Sequence, residues 1–198
     1  TFRKEQFAGY KQHRPPTAPA LISQLVRAKE VFAHFGVNTF DAPGFEADDI
    51  IGTLARRFES NEVRVVMLSG DLDLLQLVRG ERVVAKIIKT GLSNTVIYDE
   101  AAVRARYGLA PGQLIDYKAL VGDASDAIPG VRGVGPKIAR ELLSEFKTLE
   151  GVFDNIALIS GNAGKAIAAE RENAQLSKML ATIRTDAPVA VSSLAELS

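Results

Sequence analysis

The sequence predicts an α/β fold, with a mostly parallel central sheet flanked by helices and a helical C-terminal region. Three observations carry that expectation. Val63–Leu68 (Val-Arg-Val-Val-Met-Leu) is a short, β-branched apolar run of the kind buried in a parallel sheet. Between a plausible strand at Val37–Phe40 and that run, Ile50, Ile51, Leu54, Ala55 and Phe58 recur at helical spacing, which gives a strand–helix–strand unit. After Lys137 the chain reads as helix almost to Ile183.

The bulk numbers set the bounds. The chain has 198 residues, 46% hydrophobic and 24% charged, enough for one domain with a sizeable core or one domain plus an appendage. It has no cysteine, which excludes disulfides and thiolate metal sites and fits an intracellular compartment. No apolar run approaches the roughly 20 residues that span a bilayer, and no signal-peptide pattern is present, so no membrane partner is expected. The chain begins with Thr1 rather than Met and reads as a piece of something longer. Its 24 basic and 24 acidic residues cancel, but they are segregated. Residues 1–29 carry Arg3, Lys4, Lys11, Arg14, Arg27 and Lys29 against Glu5 alone, whereas residues 41–49 carry Asp41, Glu46, Asp48 and Asp49 with no base. One face for a polyanion and one pocket for cations is the expectation.

Residues 1–17 are polar, basic and proline-containing and do not read as core. Tyr10 among bases suits phosphate pairing with stacking. Pro19–Phe35 has helical periodicity and Gly36 supplies a stop. The next helix opens with Glu46, Asp48 and Asp49. Capping explains one or two acids there, but three in four positions repel one another without a cation or strong hydrogen bonding. After the strand at Val63–Leu68 come Asp71 and Asp73, which share a side if the chain stays extended. Both acid clusters then lie beyond the carboxyl ends of parallel strands, where ligands of open sheets gather. Arg82–Ile88 and Asn94–Tyr98 read as a hairpin around Gly91, Asp99 as the cap of a helix to Tyr107, and Pro111 as the start of another to Val121. Further helices are expected at Ile138–Phe146, Leu149–Ile156 and Ala163–Ile183, with a linker or tail after Pro188.

The stretch Val121–Lys137 joins two chemistries. Asp123 and Asp126 lie three residues apart in a turn-prone run, and Gly130–Lys137 alternates glycine with valine before Pro136 opens a helix. Such a loop can approach another molecule closely and aim helix N–H groups at a phosphate. The seven acids Glu46, Asp48, Asp49, Asp71, Asp73, Asp123 and Asp126 suit hard divalent cations such as Mg²⁺. Beside a phosphate-type loop they fit two-metal phosphodiester hydrolysis, with ions about 3.5–4 Å apart, and Lys11 or Arg14 would steady the transferring phosphate. The loop is not a Walker A motif, because Pro136 separates Gly135 from Lys137 and Ile138 stands where Ser or Thr is needed. His13 and His34 have no ligand-like spacing.

Four motifs in this order resemble the 5′-nuclease domain family of bacterial DNA polymerase I, the flap endonuclease / 5′–3′ exonuclease superfamily. They are Phe2-Arg3 with Tyr10-Lys11-x-x-Arg14, Gly44-Phe45-Glu46-Ala47-Asp48-Asp49, Gly70-Asp71-x-Asp73, and Gly122-Asp123 through Lys137. The resemblance runs from Thr1 to Asp186. It implies a PIN-like 5′-nuclease fold with residues 1–121 as arch segment and α/β core, 122–186 as helix-hairpin-helix and C-terminal helices, and 187–198 as linker or tail. It implies that the seven acids bind two Mg²⁺ or Mn²⁺ ions and that Lys11 and Arg14 act at the scissile phosphate. It also implies that Arg3, Tyr10, Gly130, Val131, Gly133, Val134, Gly135 and Lys137 contact DNA, with K⁺ held at the helix-hairpin-helix loop. The implied substrate is flapped, nicked or 5′-ended duplex DNA. The implied setting is a monomer in the bacterial cytoplasm at the nucleoid, covalently linked to a polymerase domain. The family's N-terminal strand, with one more metal-binding Asp, and an Asp just before Thr1 are absent here; His13, Leu72, Ala127 and Ile138 are further departures. Two alternatives stand beside the nuclease: a DNA-binding fragment impaired in catalysis, and a Mg²⁺-dependent phosphatase. The helix-hairpin-helix argues against the last, since a small phosphomonoester needs no duplex grip.

Overall fold

The computed structural model describes residues 1–91 and 93–197. A short helix α1 (Phe2–Gln6) leads to α2 (Pro19–His34) and α3 (Ala47–Phe58). Strand β1 (Val65–Ser69), a 3₁₀ helix (Leu72–Leu77), β2 (Val83–Thr90) and β3 (Asn94–Tyr98) follow. The helices α4 (Glu100–Tyr107), α5 (Gln113–Val121), α6 (Pro136–Phe146), α7 (Leu149–Asp154), α8 (Gly161–Ala169) and α9 (Arg171–Ala181) complete the chain.

The sheet has the order β1-β2-β3. β1 and β2 run parallel, Val65 opposite Val83 through Ser69 opposite Ile87, while β2 and β3 form the antiparallel hairpin expected around Gly91. The sheet is therefore mixed rather than mostly parallel. Val37–Phe40 forms no strand. The segment is held without a ladder: Phe40 packs with Ala187, Val189 and Val191 and Asn38 Nδ2 donates to the Glu196 carbonyl at 3.1 Å, while Val37 stays half exposed. The same contacts correct the expectation of a loose C-terminal segment. Val189 and Val191 are buried, and Arg57 donates to both of their carbonyls. Ser198, the last residue of the expected tail, lies outside the described residues.

Local chemistry sets the element ends. Asp99 accepts the Ala102 N–H at 2.7 Å and Gly108 closes α4 in the left-handed region. Asp71 accepts the Asp73 N–H at 2.9 Å, which turns the chain into the 3₁₀ helix instead of letting it run on extended. Asp71 and Asp73 are thus placed by a cap and not by strand alternation. The long C-terminal helix divides at Glu170, whose carboxylate accepts the Arg132 N–H at 3.2 Å. α5 is the hub. It packs on α6, α7 and α9, and Leu120 and Ala119 are fully buried with Leu143, Leu149 and Val152. The polar segment at the N-terminus is also drawn inward, because Arg3 and Tyr10 are buried. Elsewhere apolar surface stays open: Leu21, Ile22, Leu25 and Val26 of α2 and Val66 and Leu68 of β1 are about half exposed.

The loop after α5 explains one of its glycines. Gly130, at φ +65°, lies against the chain at Gly122, and a Cβ there would stand 2.4 Å from the Gly122 nitrogen. Its N–H goes to Ser177 Oγ of α9 at 2.9 Å. Gly130 therefore serves the fold, not contact with another molecule. Gly130→Ala is expected to lower stability by more than about 1 kcal/mol, measured by urea unfolding; an unchanged midpoint would show that the two backbone segments part without cost.

Candidate metal centre and nucleic-acid interface

Two clusters of charge form where α3, the 3₁₀ helix, α5 and the loop after α5 meet. In the first, the last turn of α5 carries Lys118 and the chain turns through Gly122 to Asp123. The Lys118 ammonium stands between two carboxylates. It hydrogen-bonds Asp73 Oδ1 and lies 2.7 Å from Asp123 Oδ2. Asp123 is fixed from its other side by Ser125, whose N–H and hydroxyl donate to Oδ1 at 2.9 and 2.6 Å. A backbone bridge between Asp123 and Ile128 closes this acid-bearing turn. Burial works to raise the Asp123 carboxyl, but Lys118 and Ser125 hold it below the ordinary carboxylate range. Asp73 is more deeply set, and burial outweighs Lys118 to raise it. Asp48, on the first turn of α3, completes the group: burial and then the charges of Asp71 and Asp73 push it up to about 6. These carboxylates are close enough to resist joint ionisation, the condition that a cation relieves.

In the second cluster Lys11 Nζ lies 2.5 Å from Glu46 Oε2 and 3.7 Å from Asp126 Oδ2. Arg14 bonds Asp126 Oδ1 at 2.6 Å, and the Tyr10 hydroxyl reaches Glu46 at 3.2 Å and Asp126 at 3.5 Å. Burial depresses the Lys11 ammonium, yet hydrogen bonds and charge from Glu46 and Tyr10 raise it above the usual lysine range. It is a fixed cation at neutral pH. The Lys11 backbone sits at φ +53° and its N–H donates to the Asp126 carbonyl at 2.9 Å, which ties the N-terminal segment to the acid-bearing turn.

Three expected site residues are placed differently. Asp49 is fully buried: Arg3 donates to both oxygens at 2.8 and 2.7 Å, and the N–H groups of Glu46 and Arg184 add 3.0 and 2.9 Å bonds. Those four donors use the lone pairs of a carboxylate. Asp49 is a structural anchor and not a metal ligand. Arg3 is likewise buried, also donating to the Leu180 and Thr182 carbonyls, so it cannot touch DNA. Tyr10 is spent on Glu46 and Asp126 and offers no face for a base. The bland explanation of the acids heading α3 thus accounts for Asp49, whose carboxylate accepts the N–H of the cap residue Glu46.

In the loop Gly130–Lys137 the roles also divide. Val131 and Val134 are buried in the main core, and the Val131 N–H donates to the Leu120 carbonyl while its own carbonyl accepts the Val134 N–H. Around Gly133 and Gly135 an added Cβ would meet nothing within 4 Å, and Lys137 is 88% exposed at the start of α6. This is the open edge of the loop. Lys118 is the site residue that motif reasoning missed. Its signal was present: a lone lysine in an otherwise apolar stretch of α5, just ahead of Gly122-Asp123.

The donor set fits a hard divalent ion, since it is all carboxylate oxygen and its like charges are compensated only in part by Lys118. Among the described residues no three carboxylates or imidazoles converge on one point; ammonium groups stand between them.

Comparison with known families decides the relationship. The model for a 5′-3′ exonuclease N-terminal resolvase-like domain matches residues 1–108, and that for a 5′-3′ exonuclease C-terminal SAM fold matches 109–197. The chain belongs to the 5′–3′ exonuclease family. The boundary between the two models falls before α5, in keeping with the packing of α5 on α6 and α9. Among relatives of this chain, DNA polymerase I of Bacillus caldotenax is 45% identical over 193 residues and that of Bacillus subtilis (strain 168) is 42% identical. Each alignment covers 97% of this chain and 22% of the relative, so the chain spans about a fifth of the length of these relatives. The bacteriophage T5 flap endonuclease, solved as a pseudo-enzyme–product complex with DNA and metal ions, shares the fold at a TM-score of 0.76 and 21% identity. That match covers 93% of this chain and 71% of the T5 chain. Among the described residues no helix is long and apolar enough to cross a membrane.

Proposed function

We propose that this chain hydrolyses DNA phosphodiesters at 5′ ends, flaps or nicks with divalent metal, as the nuclease part of a longer bacterial DNA polymerase. The observation that carries the reading is the grouping of Asp48 with Asp71 and Asp73, and of Asp73 with Asp123 through Lys118, next to a second cluster in which Lys11 and Arg14 meet Glu46 and Asp126. Asp48, Asp71, Asp73 and Asp123 would hold the ions, Mg²⁺ or Mn²⁺ and two in number, with Glu46 and Asp126 on the neighbouring side. Such ions supply an activated water and neutralise charge on the phosphate.

The chain's own groups do the positioning. Lys118 and Ser125 set the orientation of Asp123. Lys11, held cationic by Glu46, and the partly exposed Arg14 present positive charge to a phosphate arriving beside Asp126. The open loop edge at Gly133, Gly135 and Lys137 grips the duplex backbone, with K⁺ against its main-chain carbonyls. The family setting supports a monomer working at the nucleoid in the bacterial cytoplasm.

Cleavage of a 5′-end-labelled flap duplex tests the reading, with Mg²⁺ or Mn²⁺ and an EDTA control. Metal-dependent release of short 5′ products is expected. Retarded but uncut DNA would assign binding without catalysis to this chain. Gly135→Val separates the grip from the chemistry, because the site is open and its φ of −89° accepts a side chain. It is expected to weaken flap binding several-fold by anisotropy while the urea midpoint stays put; unchanged binding would remove the loop from the interface.

A further inference from the structure

A cavity of about 230 Å³ adjoins the first cluster, sharing Asp73, Lys118 and Asp123 with it. Its remaining lining is largely apolar and aromatic: Leu72, Leu114, and the rings of Tyr107 and Tyr117, which meet edge to face at 6.4 Å. It is smaller than the roughly 300–1,000 Å³ of pockets for drug-sized ligands, a size for one planar ring system. Two of the polar groups around it are already engaged. Lys118 is held by Asp73 and Asp123, and the Gln76 amide donates to the Ala181 carbonyl at 3.0 Å and accepts the Ile183 N–H at 2.9 Å. What the cavity offers a ligand is aromatic surface beside fixed charge.

We infer that this cavity receives one nucleobase of the DNA strand being cut, stacked against Tyr117 and Tyr107 while its own phosphate lies at the adjoining carboxylate–lysine cluster. The inference rests on the nuclease reading and adds a base subsite to it. A base is the planar apolar group that a phosphate at this cluster carries within a nucleotide's length. Stacking on a ring is tolerant of sequence because every base has a π-face, and Gln76 and Lys118 are already bonded to groups of the chain itself. The site therefore senses the presence of a base and not its identity.

An abasic scan through the nucleotides flanking the cleaved bond tests this with the chain itself. A single abasic position is expected to lower kcat/KM roughly five- to a hundredfold, whereas exchanging the base there changes little. Tyr117→Phe keeps the ring and should keep the abasic penalty. Tyr117→Leu keeps apolar volume without a ring and should cut intact and abasic strands alike. Binding of the same DNAs is read by anisotropy in Ca²⁺, so a chain that binds without cutting still tests the pocket. If no position is sensitive, or if the penalty survives in Tyr117→Leu, the base subsite is wrong and the nuclease reading stands. If intact flap DNA is neither bound nor cut, both fall.

Discussion

Asp49→Asn is expected to cost about 3–5 kcal/mol of stability, the loss that follows when one member of a buried ion pair is removed. The substitution keeps the shape of the side chain but leaves the Arg3 guanidinium buried and uncompensated between the Leu180 and Thr182 carbonyls. The pair also joins three separate stretches, because Asp49 accepts from Arg184 as well as from Arg3. The effect has a pH signature. Burial alone would raise the Asp49 carboxyl, but Arg3 and the two backbone donors hold it below its ordinary value of 3.8. A carboxylate depressed in the folded state contributes stability above its unfolded pKa, and that contribution is lost as pH falls through the folded value. The wild-type chain should therefore lose stability below about pH 4, and Asp49→Asn should show less of that loss. Urea unfolding at pH 7 and pH 3 measures both. Retained stability with lost metal binding would return Asp49 to the ligand set.

Much of the fold could be read in the sequence because local chemistry and tertiary packing agree there. Asp99 and Pro136 act as cap and first helical residue where the sequence puts them, the helix capped by Asp99 ends at Tyr107 as expected, and the hairpin around Gly91 pairs as expected. The misreadings have a common cause: a side chain whose partner lies far along the chain. The burial of Arg3 depends on Asp49, Leu180 and Thr182, and nothing within residues 1–17 announces it. Val37–Phe40 has strand composition, but Phe40 packs on the segment around Val189, Val37 stays half exposed, and the stretch meets no strand edge. The site was legible as a set of acids, since acids clustered near glycine are conspicuous. How those acids divide was not. Nothing in the spacing of Glu46, Asp48 and Asp49 says that Asp49 turns inward to a guanidinium while Asp48 faces Asp71 and Asp73. Lys118 was overlooked for the complementary reason: its one signal, a position just ahead of Gly122-Asp123, means little until its two carboxylates are folded beside it.

Asp123→Asn should remove cleavage while leaving the chain folded and still able to bind DNA. Asp123 is partly exposed and its own turn is held by the backbone bridge to Ile128, so the amide can keep the Ser125 bonds without unfolding anything. What it cannot keep is the negative charge. Even positioning groups around a metal are worth about 10–100-fold, and loss of a ligand should cost at least about a hundredfold in kcat/KM with flap affinity in EDTA changed little. Equal loss of cleavage and binding would count against a metal role. Lys118→Met gives the opposite perturbation, because it frees Asp73 and Asp123 from their shared ammonium. If Lys118 competes with the ion for these carboxylates, half-maximal cleavage should need less Mg²⁺ in the variant than in the wild type. If Lys118 instead orients them, the requirement should rise and kcat should fall. Titration of cleavage against Mg²⁺ for the wild type and Lys118→Met separates a lysine that guards the carboxylates from one that aims them.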